Sequence, residues 1–215
     1  AISGVNIFIG TTGGNGVYFS TDNGANWQAA NNGLLNNNVF VLAVSGTNIF
    51  AGTFGSGVYL STNNGSSWSS VSNGLTNFDI WSLSASGSSI FTGTYGDGVF
   101  LSTNNGANWS AVNNGLMNLD VRALAVSGTK IFAGTYGGGV FLTNNNGTSW
   151  SSVNNGLENT FVLSLVIDGS NIFAGTLGSG VYLSTDNGTN WSAVNNGLTD
   201  GDVQALAISN TNIFA

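Results

Sequence analysis

The eight residues STDNGANW at positions 20–27 recur in closely similar form four more times along this 215-residue chain. Each copy ends in tryptophan, and the tryptophans are spaced 41 residues apart, at Trp27, Trp68, Trp109, Trp150 and Trp191. A constant period of this length is typical of stacked supersecondary units, because one unit buries its apolar face only against its neighbours. The repeat therefore constrains the fold more strongly than any other feature of the sequence.

The residue types of this octet predict a self-capped hairpin loop. An aspartate or asparagine at the third position accepts hydrogen bonds from backbone N–H groups that follow it in the chain. The glycine at the fifth position adopts positive φ without strain, and the final tryptophan covers the turn with a large apolar surface. The third-position residues are Asp22, Asn63, Asn104, Asn145 and Asp186.

The pattern S-x-D-x-G-x-x-W resembles the Asp-box motif, or BNR repeat, of β-propellers such as sialidases, sortilin-type receptors and xyloglucan-degrading hydrolases. All five copies fit its glycine and tryptophan, whereas its aspartate is present only as Asp22 and Asp186. In that family the box is a structural element away from the active face, so the resemblance implies architecture more than activity. The near-identical repeats also resemble propeller arrays in secreted and surface proteins of bacteria, which act as spacers or binding modules.

Each repeat contains four short apolar runs separated by turn signals, which predicts an all-β fold. In one repeat these runs are Val121–Val126, Lys130–Ala133, Gly139–Leu142 and Trp150–Val153. A repeat of about 40 residues with four strands is typical of a β-propeller blade. A β-helix is the alternative repeat fold, but its coils are shorter and lack two tight hairpins each, so we predict a propeller.

The ends of the chain bear on the number of blades. The third and fourth strand-like runs occur five times, whereas the Ile-Phe run of the second strand occurs six times. We predict a single domain over residues 1–215, five-bladed, with terminal half-blades at 1–10 and 203–215. Closure by strand exchange would then use Val203–Ser209 as the inner strand of the blade formed by Asn6–Gln28. The alternatives are a part of a longer propeller, or half-blades that join neighbouring molecules head to tail in rings or filaments.

Charge is scarce along the chain. Charged residues make up 5% of the sequence, with two Lys and Arg residues against nine Asp and Glu residues, and the net charge is −7. An average globular protein has about 25% charged residues. Two cations argue against a surface that follows a phosphate backbone, so we expect neither nucleic acid nor an anionic membrane as a partner. No apolar run approaches the roughly 20 residues of a membrane span, so we expect no membrane insertion.

Candidate ligand-binding residues occupy two columns in which the repeats differ while their surroundings stay constant. One column lies at the start of the first strand, and the other in the loop between the second and third strands. In a propeller these two positions open on the same end, opposite the Asp boxes. Aromatic rings beside carboxylates suit a neutral glycan, although packing between blades and turn capping are the alternative roles. The candidates are Phe54, Asp79, Trp81, Tyr95, Asp120, Arg122, Tyr136 and Asp202.

The composition argues against an enzyme. The chain contains no histidine and no cysteine, so Ser-His-Asp and Cys-His catalysis and a histidine-containing metal site are excluded. Its single arginine does not match the arginine cluster with which sialidases hold their substrate. A pair of carboxylates can hydrolyse a glycoside, and Asp79, Asp120 and Asp202 could in principle lie across the ring mouth from one another. These three residues occupy one repeat position, however, so the repeat sets them rather than separate roles as acid and base. We expect no catalytic residues, no cofactor and no metal.

We therefore predict a non-catalytic extracellular or cell-surface β-propeller module that serves as a binding or self-assembling scaffold. Its outer strands lack the lysine and proline that commonly protect sheet edges, which favours self-association. The expected partners are further copies of the chain, through ring closure, an oligomer or a filament, or another protein. The alternative function is that of a carbohydrate-binding or carbohydrate-active domain with a neutral glycan as ligand.

Overall fold

The computed structural model describes residues 1–210 and 212–215. Over these residues the chain forms β-strands and no helix, so no helix is long and apolar enough to cross a membrane. The strands form five four-stranded antiparallel sheets and one two-stranded sheet. The predicted all-β fold is confirmed, and the five sheets, numbered blades 1 to 5 in chain order, are consistent with five propeller blades.

The chain divides into two compact units of whole blades, Ala1–Ala111 and Val112–Ala215. The first unit holds blades 1 to 3. Their strands are β1 (Ile2–Ser3), β2 (Asn6–Thr11), β3 (Gly16–Ser20), β4 (Gln28–Ala29), β5 (Val39–Ser45), β6 (Asn48–Thr53), β7 (Val58–Ser61), β8 (Ser69–Ser70), β9 (Ile80–Ser86), β10 (Ser89–Thr94), β11 (Val99–Ser102) and β12 (Ser110–Ala111).

The second unit holds blades 4 and 5 and a C-terminal hairpin. Its strands are β13 (Val121–Ser127), β14 (Lys130–Thr135), β15 (Gly139–Thr143), β16 (Ser151–Ser152), β17 (Val162–Asp168), β18 (Asn171–Thr176), β19 (Val181–Ser184), β20 (Ser192–Ala193), β21 (Ala207–Ser209) and β22 (Asn212–Phe214). The prediction that residues 1–215 form a single domain stays a prediction.

The predicted strand runs agree closely with blade 4. Strands β13, β14 and β15 begin at the predicted residues and extend one or two residues further. Strand β16 is shorter than predicted and covers only Ser151–Ser152, because Trp150 lies outside the strand and Val153 bonds to Val140 beyond it. The second strand of each of blades 2 to 4 is almost entirely buried, since it lies at the centre of its sheet between neighbouring strands.

The hydrophobic core lies between consecutive blades. In the second unit, Phe132 and Val140 of blade 4 pack in one cluster with Leu165, Tyr182 and Trp191 of blade 5. The corresponding residues form clusters between blades 1 and 2 and between blades 2 and 3. Each blade therefore depends on its neighbour to cover its apolar face, as the constant period predicts.

A glycine in the second strand sets the distance between blades. A Cβ atom added at Gly134 would lie 2.6 Å from Val162 Cγ1, on the first strand of the next blade. A Cβ atom at Gly52 would lie 2.4 Å from Ile80 Cγ2 in the same way. Such distances are too short for a methyl group, so glycine is needed here for close approach rather than for its backbone freedom.

The predicted closure by strand exchange is wrong for this structure. The inner position of blade 1 is taken by β1, which pairs with β2 through Ile2–Ser3. The segment predicted to take that position instead pairs through Ala207–Ser209 with Asn212–Phe214. Strands β21 and β22 are adjacent in sequence, so their hairpin closes only a short loop, and this costs less chain entropy than pairing distant segments.

Candidate ligand-binding site

The two variable columns lie side by side at one end of each blade. The amide of Tyr95, after β10, donates a hydrogen bond of 3.1 Å to the carbonyl of Asp79, just before β9. Phe54 and Asn38 are joined in the same way over 3.0 Å. We call this end of a blade the variable end. It comprises the residues before the first strand, the second residue of that strand and the loop between the second and third strands.

The Asp boxes lie at the opposite end of each sheet. The second strand of blade 2 begins beside its Asp box, where Ile49 pairs with Ser61. The same strand ends at Thr53, immediately before the variable residue Phe54. Any ligand at a variable end is therefore separated from the Asp box by the length of the blade.

In blades 2 to 5, a β-bulge presents the variable residue of the first strand. In blade 2 the pairing passes from Val39 opposite Thr53 to Val41 opposite Gly52, so Phe40 is the extra residue. The same shift makes Trp81 and Arg122 the extra residues of β9 and β13. Bulges redirect a side chain from the regular alternation of a strand and are frequent beside functional sites. The sequence showed the variable column, but it did not show the bulge.

Asparagine side chains hold the variable ends in a fixed conformation. In blade 3, Asn77 Oδ1 accepts a hydrogen bond of 2.9 Å from the Asp79 amide, and Asn77 Nδ2 donates one of 2.6 Å to the Tyr95 carbonyl. The equivalent asparagines of blades 2, 4 and 5 make the same two bonds, and these are Asn36, Asn118 and Asn159. These residues were absent from the predicted site, although their constant position within the repeat is visible in the sequence.

Three aromatic side chains form a cluster in the first unit. The ring centroids of Phe40 and Trp81 are 4.7 Å apart in a T-shaped arrangement, and that of Phe54 lies 5.7 Å from Phe40 and 6.5 Å from Trp81. Phe40 is 37% exposed and Phe54 is 44% exposed. We call Phe40, Phe54 and Trp81 the aromatic cluster. The sequence prediction included Phe54 and Trp81 and omitted Phe40, which occupies the same repeat column as Trp81.

Two further candidates of the first unit lie at the variable end of blade 3. Tyr95 is exposed over 52% of its surface, and Asp79 is half-buried and holds the Tyr95 amide through its carbonyl. Asp97, in the same loop, accepts a hydrogen bond of 2.5 Å from the hydroxyl of Thr76. The carboxylates at this end therefore neighbour an exposed tyrosine.

In the second unit the predicted residues form an ion pair and an aromatic pair. Asp120 accepts hydrogen bonds from Arg122 Nε at 2.6 Å and Nη2 at 2.9 Å. The guanidinium carbon of Arg122 lies 5.0 Å from the ring centroid of Tyr136, and Tyr136 contacts Phe161 edge to face at 4.8 Å. Bidentate pairing and stacking fix the guanidinium plane, so Arg122 shapes this surface as a neutral pair with Asp120.

Asp202 lies apart from these aromatic contacts. It stands before Val203, and its amide donates a hydrogen bond of 2.9 Å to Asp200 Oδ1. Asp200 and Asp202 line one cavity of about 410 Å³ together with Leu198 and Ala215. The eight predicted candidates thus fall into the aromatic cluster, the Asp79–Tyr95 end of blade 3, the Arg122 group and this acidic cavity.

Each Asp box is capped by its own side chains. In blade 1, Asp22 Oδ1 accepts hydrogen bonds from the Asn26 amide at 2.9 Å and the Ser20 hydroxyl at 2.8 Å, and Asp22 Oδ2 accepts one of 2.7 Å from Asn26 Nδ2. The bonds from Asn26 and then that from Ser20 lower the pKa of Asp22 to about 2. In blade 5 the corresponding bonds from Asn190 and Ser184 lower the pKa of Asp186.

Asparagine replaces the aspartate without loss of the cap. Asn63 Oδ1 accepts from the Ser67 amide at 2.9 Å and the Ser61 hydroxyl at 2.9 Å, and Asn63 Nδ2 donates to Ser67 Oγ. Asn104 and Asn145 accept equivalent bonds at their Oδ1 atoms. The Asp and Asn boxes therefore have one geometry and differ in charge.

The Asp-box tryptophans connect consecutive blades. Trp68 Nε1 donates a hydrogen bond of 2.8 Å to the carbonyl of Ala30 in the blade before it. The other internal bonds of this kind are 2.7 Å long, from Trp109 to Val71, from Trp150 to Val112 and from Trp191 to Val153. These four tryptophans are each 4% exposed, whereas Trp27 is 39% exposed.

Comparison with known proteins agrees with this architecture. The family model of the BNR/Asp-box repeat matches residues 18–29 and 182–193. No curated protein sequence matches the chain. The chain carries Asp-box repeats, as the octet pattern indicated.

Solved structures with the same fold are larger proteins. The extracellular domain of a putative one-component system from B. thetaiotaomicron aligns with a TM-score of 0.78 at 19% identity, over 99% of this chain and 30% of that one. A GH74 enzyme from Niastella koreensis aligns with a TM-score of 0.64 at 23% identity, over 89% of this chain and 31% of the enzyme. YCF48 bound to D1 peptide aligns with a TM-score of 0.66 at 16% identity, over 86% of this chain and 63% of that one. The chain therefore has the β-propeller fold and spans less than a third of the first two proteins.

Proposed function

We propose that this chain is a non-catalytic, extracellular β-propeller module that binds a neutral glycan at the variable ends of its blades. The observation that carries the proposal is the partly exposed aromatic cluster of Phe40, Phe54 and Trp81, held on β-bulges and on a loop fixed by Asn36. Aromatic side chains bind sugars because an aromatic face accepts the C–H groups of the pyranose ring.

The charge distribution favours a neutral ligand over an anionic one. The cluster itself contains no charged side chain, and the chain as a whole carries a net charge of −7. Arg122 is engaged by Asp120 and stacked on Tyr136. An acidic glycan would therefore meet a negative protein whose arginine is already paired.

Rigidity supports recognition by the same surface. The asparagine bonds and the bulges fix the aromatic residues before any ligand arrives, so binding requires little ordering of side chains. The loop that carries Phe54 is anchored twice, through the Asn38 carbonyl and through Asn36. A preformed apolar surface with nearby polar groups is the usual character of a small-ligand site.

We infer a non-catalytic role because two of the candidate carboxylates have partners other than the aromatic cluster. Asp120 accepts two bonds from Arg122, and Asp202 shares its cavity with the neighbouring Asp200 rather than with the aromatic cluster. Glycoside hydrolysis needs two carboxylates on opposite sides of one bond, about 5 to 9.5 Å apart. The similarity to a GH74 enzyme supports a carbohydrate ligand and extends to the fold. The extracellular setting is supported by the similarity to an extracellular domain.

The test is a glycan array probed with the 215-residue chain and with three variants. Phe54→Ala removes an exposed ring, and Trp81→Ala removes the ring against which Phe40 packs. Leu35→Ala is the matched control, because Leu35 is the more exposed apolar side chain and lies outside the cluster. We expect neutral glycans to bind the unchanged chain and the control, and binding to fall at least tenfold in Phe54→Ala.

Trp81 is half-buried, so circular dichroism of each variant accompanies the array. Binding that survives in a folded Phe54→Ala variant would remove the cluster from the site. A blank glycan array would reject the glycan, and a peptide array on the same variants would then examine a protein ligand, as in the structural neighbour bound to a peptide.

A further inference from the structure

The second unit presents side chains at the same repeat positions as the aromatic cluster of the first unit. In blade 4, Arg122 is the extra residue of the bulge in β13, and Tyr136 follows β14. Their counterparts in blade 2 are Phe40 and Phe54. The guanidinium carbon of Arg122 lies 5.0 Å from the ring centroid of Tyr136, and the two counterpart rings have centroids 5.7 Å apart. A guanidinium plane therefore takes the place of one phenyl ring.

Phe161 adds an exposed ring to this pair. It precedes β17 of blade 5, and its backbone forms an antiparallel bridge with Tyr136. The two ring centroids lie 4.8 Å apart at an interplanar angle of 71°, and Phe161 is 40% exposed. The counterpart of Phe161 in blade 3 is Asp79, so the second unit has a ring where the first has a carboxylate. The Arg122 group consists of Asp120, Arg122, Tyr136 and Phe161.

Backbone bonds and close packing hold the rings of the Arg122 group in place. The Phe161 amide donates a hydrogen bond of 2.8 Å to Asn159 Oδ1, and the Tyr136 amide donates one of 2.9 Å to the Asp120 carbonyl. The Phe161 ring packs over Gly137, where an added Cβ atom would lie 3.5 Å from Phe161 Cε1. The surface is therefore formed before any ligand arrives, which reduces the entropy lost on binding.

The ion pair beside the rings offers hydrogen-bonding atoms without a net charge. Asp120 Oδ1 accepts from Arg122 Nε at 2.6 Å, and Asp120 Oδ2 accepts from Arg122 Nη2 at 2.9 Å. A carboxylate oxygen has two lone pairs, so each of these oxygens has the capacity to accept one more hydrogen bond. The side chains of Arg122 and Asp120 are 17% and 18% exposed, so the pair is accessible from solvent.

This combination of groups suits a sugar better than an anion. The C–H groups of a pyranose ring pack on an aromatic face, and its hydroxyl groups donate hydrogen bonds to carboxylate oxygens. The Arg122 group supplies an exposed phenyl ring and a carboxylate within one surface. An anionic ligand would have to displace Asp120 from Arg122 in a chain whose net charge is −7.

We propose that the Arg122 group is a second sugar-binding site, so that each chain binds two oligosaccharide molecules. The sugar ring packs on Phe161, and Asp120 accepts hydrogen bonds from its hydroxyl groups, while Arg122 and Tyr136 hold the carboxylate in position. The inference rests on the proposed function, because it assigns the same class of ligand to the second unit. All four residues lie within Val112–Ala215, so the site needs no contribution from the first unit.

The second site is the weaker and the more selective of the two. It offers two rings instead of three, and the ion pair must lose part of its hydration when a sugar covers it. We therefore expect its dissociation constant to be at least tenfold higher than that of the aromatic cluster. A sugar that lacks the hydroxyl group facing Asp120 should bind still more weakly, because the covered carboxylate would then lack a donor.

Two NMR signals of side chains report the two sites in one ¹⁵N-labelled sample. Arg122 is the single arginine of the chain, so its Nε–H gives one resonance, and the hydrogen bond of 2.6 Å to Asp120 slows its exchange with water. The Nε1–H of Trp81, assigned with a Trp81→Phe variant, reports the aromatic cluster. The probes are cellopentaose, maltopentaose and mannopentaose, which are neutral oligosaccharides.

We expect at least one of these sugars to shift the Trp81 signal and, at tenfold or higher concentration, the Arg122 signal. In Phe54→Ala the Arg122 signal should shift with an unchanged midpoint, because Phe54 lies in the other unit. Adding Phe161→Ala to this variant should abolish the shift, whereas adding Met117→Ala should not. Met117 is the matched control, because it is an exposed apolar residue of the second unit outside the Arg122 group.

The two signals separate failure of the second site from failure of the proposed function. A Trp81 signal that shifts while the Arg122 signal stays fixed would overturn the second site alone. An Arg122 shift that persists after Phe161→Ala would overturn it as well. If none of the sugars moves either signal, both the proposed function and the second site are rejected. An Arg122 shift without a Trp81 shift would support the second site and reject the aromatic cluster.

Discussion

Single residues decide whether an Asp box responds to pH. The five boxes have one geometry, but only those of Asp22 and Asp186 carry a titratable group. The pKa of Asp22 is lowered to about 2 by the bonds from Asn26 and Ser20, and that of Asp186 is lowered by equivalent bonds. The asparagine boxes keep the same bonds over the whole acid range.

We expect the two aspartate boxes to stabilise the fold above pH 4 and to lose this contribution as the pH falls toward 2. The folded pKa of Asp22 is about 2, and an unfolded aspartate has a pKa near 3.9, so the unfolded chain binds the proton first. Thermal unfolding of the unchanged chain and of the Asp22→Asn, Asp186→Asn double variant at pH 7 and at pH 2.5 measures the effect. The unchanged chain should lose more stability than the variant, and an equal loss would show that the boxes are not linked to folding.

Some residues of the candidate site could be predicted from the sequence alone, and others could not. The variable columns identified Phe54 and Trp81, because residues that differ between otherwise constant repeats can be recognised in the sequence. The pairing of Asp120 with Arg122 was not readable from strand alternation, because Asp120 lies before strand β13 and Arg122 is the extra residue of its bulge. The bulge at Phe40 was not readable, because an extra residue in a ladder depends on the partner strand and leaves no mark on its own sequence.

At the scale of elements, the blades are joined by tryptophan bonds and by close packing at glycine. Trp109 Nε1 lies 2.7 Å from the Val71 carbonyl and is buried, whereas Trp27 is 39% exposed. Phenylalanine keeps most of the apolar area of tryptophan and removes only the donor. The two positions therefore form a matched pair.

We expect Trp109→Phe to lower the free energy of unfolding by about 1–3 kcal/mol, because it leaves the partly buried Val71 carbonyl without its donor. Trp27→Phe should change it much less in dilute monomer. Urea unfolding followed by far-UV circular dichroism compares the two. Equal losses would mean that the tryptophans contribute through their apolar area alone.

Gly134 packs closely against Val162 of the next blade, so a substitution at Val162 should offset part of the stability lost by Gly134→Ala. Gly134→Ala places a methyl group 2.6 Å from the nearest position of Val162 Cγ1, and such overpacking costs about 1–3 kcal/mol. Val162→Ala removes that methyl group, so the double variant should be more stable than the sum of the two single losses. Additive losses in urea unfolding would show that the blades adjust their spacing freely at this point.

The elements were the most predictable level of the structure. Three of the four strands of blade 4 begin at the predicted residues, because strand length and turn signals are local properties. The pairing at the ends of the chain was predicted wrongly. Ala207–Ser209 has the sequence of an inner strand, and the repeat pattern offers it two equivalent partners, residues 6–8 and 212–214. It pairs with Asn212–Phe214, which is close to it in the chain, and the repeat pattern does not contain that preference.

At the scale of the whole molecule, the scarcity of charge sets the character of its interactions. Charged residues are 5% of the chain and its net charge is −7. Contacts through the aromatic cluster use apolar area and short-range bonds, which salt screens little. Contacts through Asp79, Asp200 or Asp202 would respond strongly to salt.

Calorimetric titration with the neutral oligosaccharide that binds best on the array shows whether the aromatic cluster is the binding surface. The chain is titrated at about 20 mM and about 500 mM NaCl, because exposed charges are largely screened at the higher concentration. We expect a binding constant that changes less than twofold with salt and falls at least tenfold in Phe54→Ala but not in Leu35→Ala. Binding that disappears at high salt, or that Phe54→Ala leaves intact, would contradict the claim that the aromatic cluster is the binding surface.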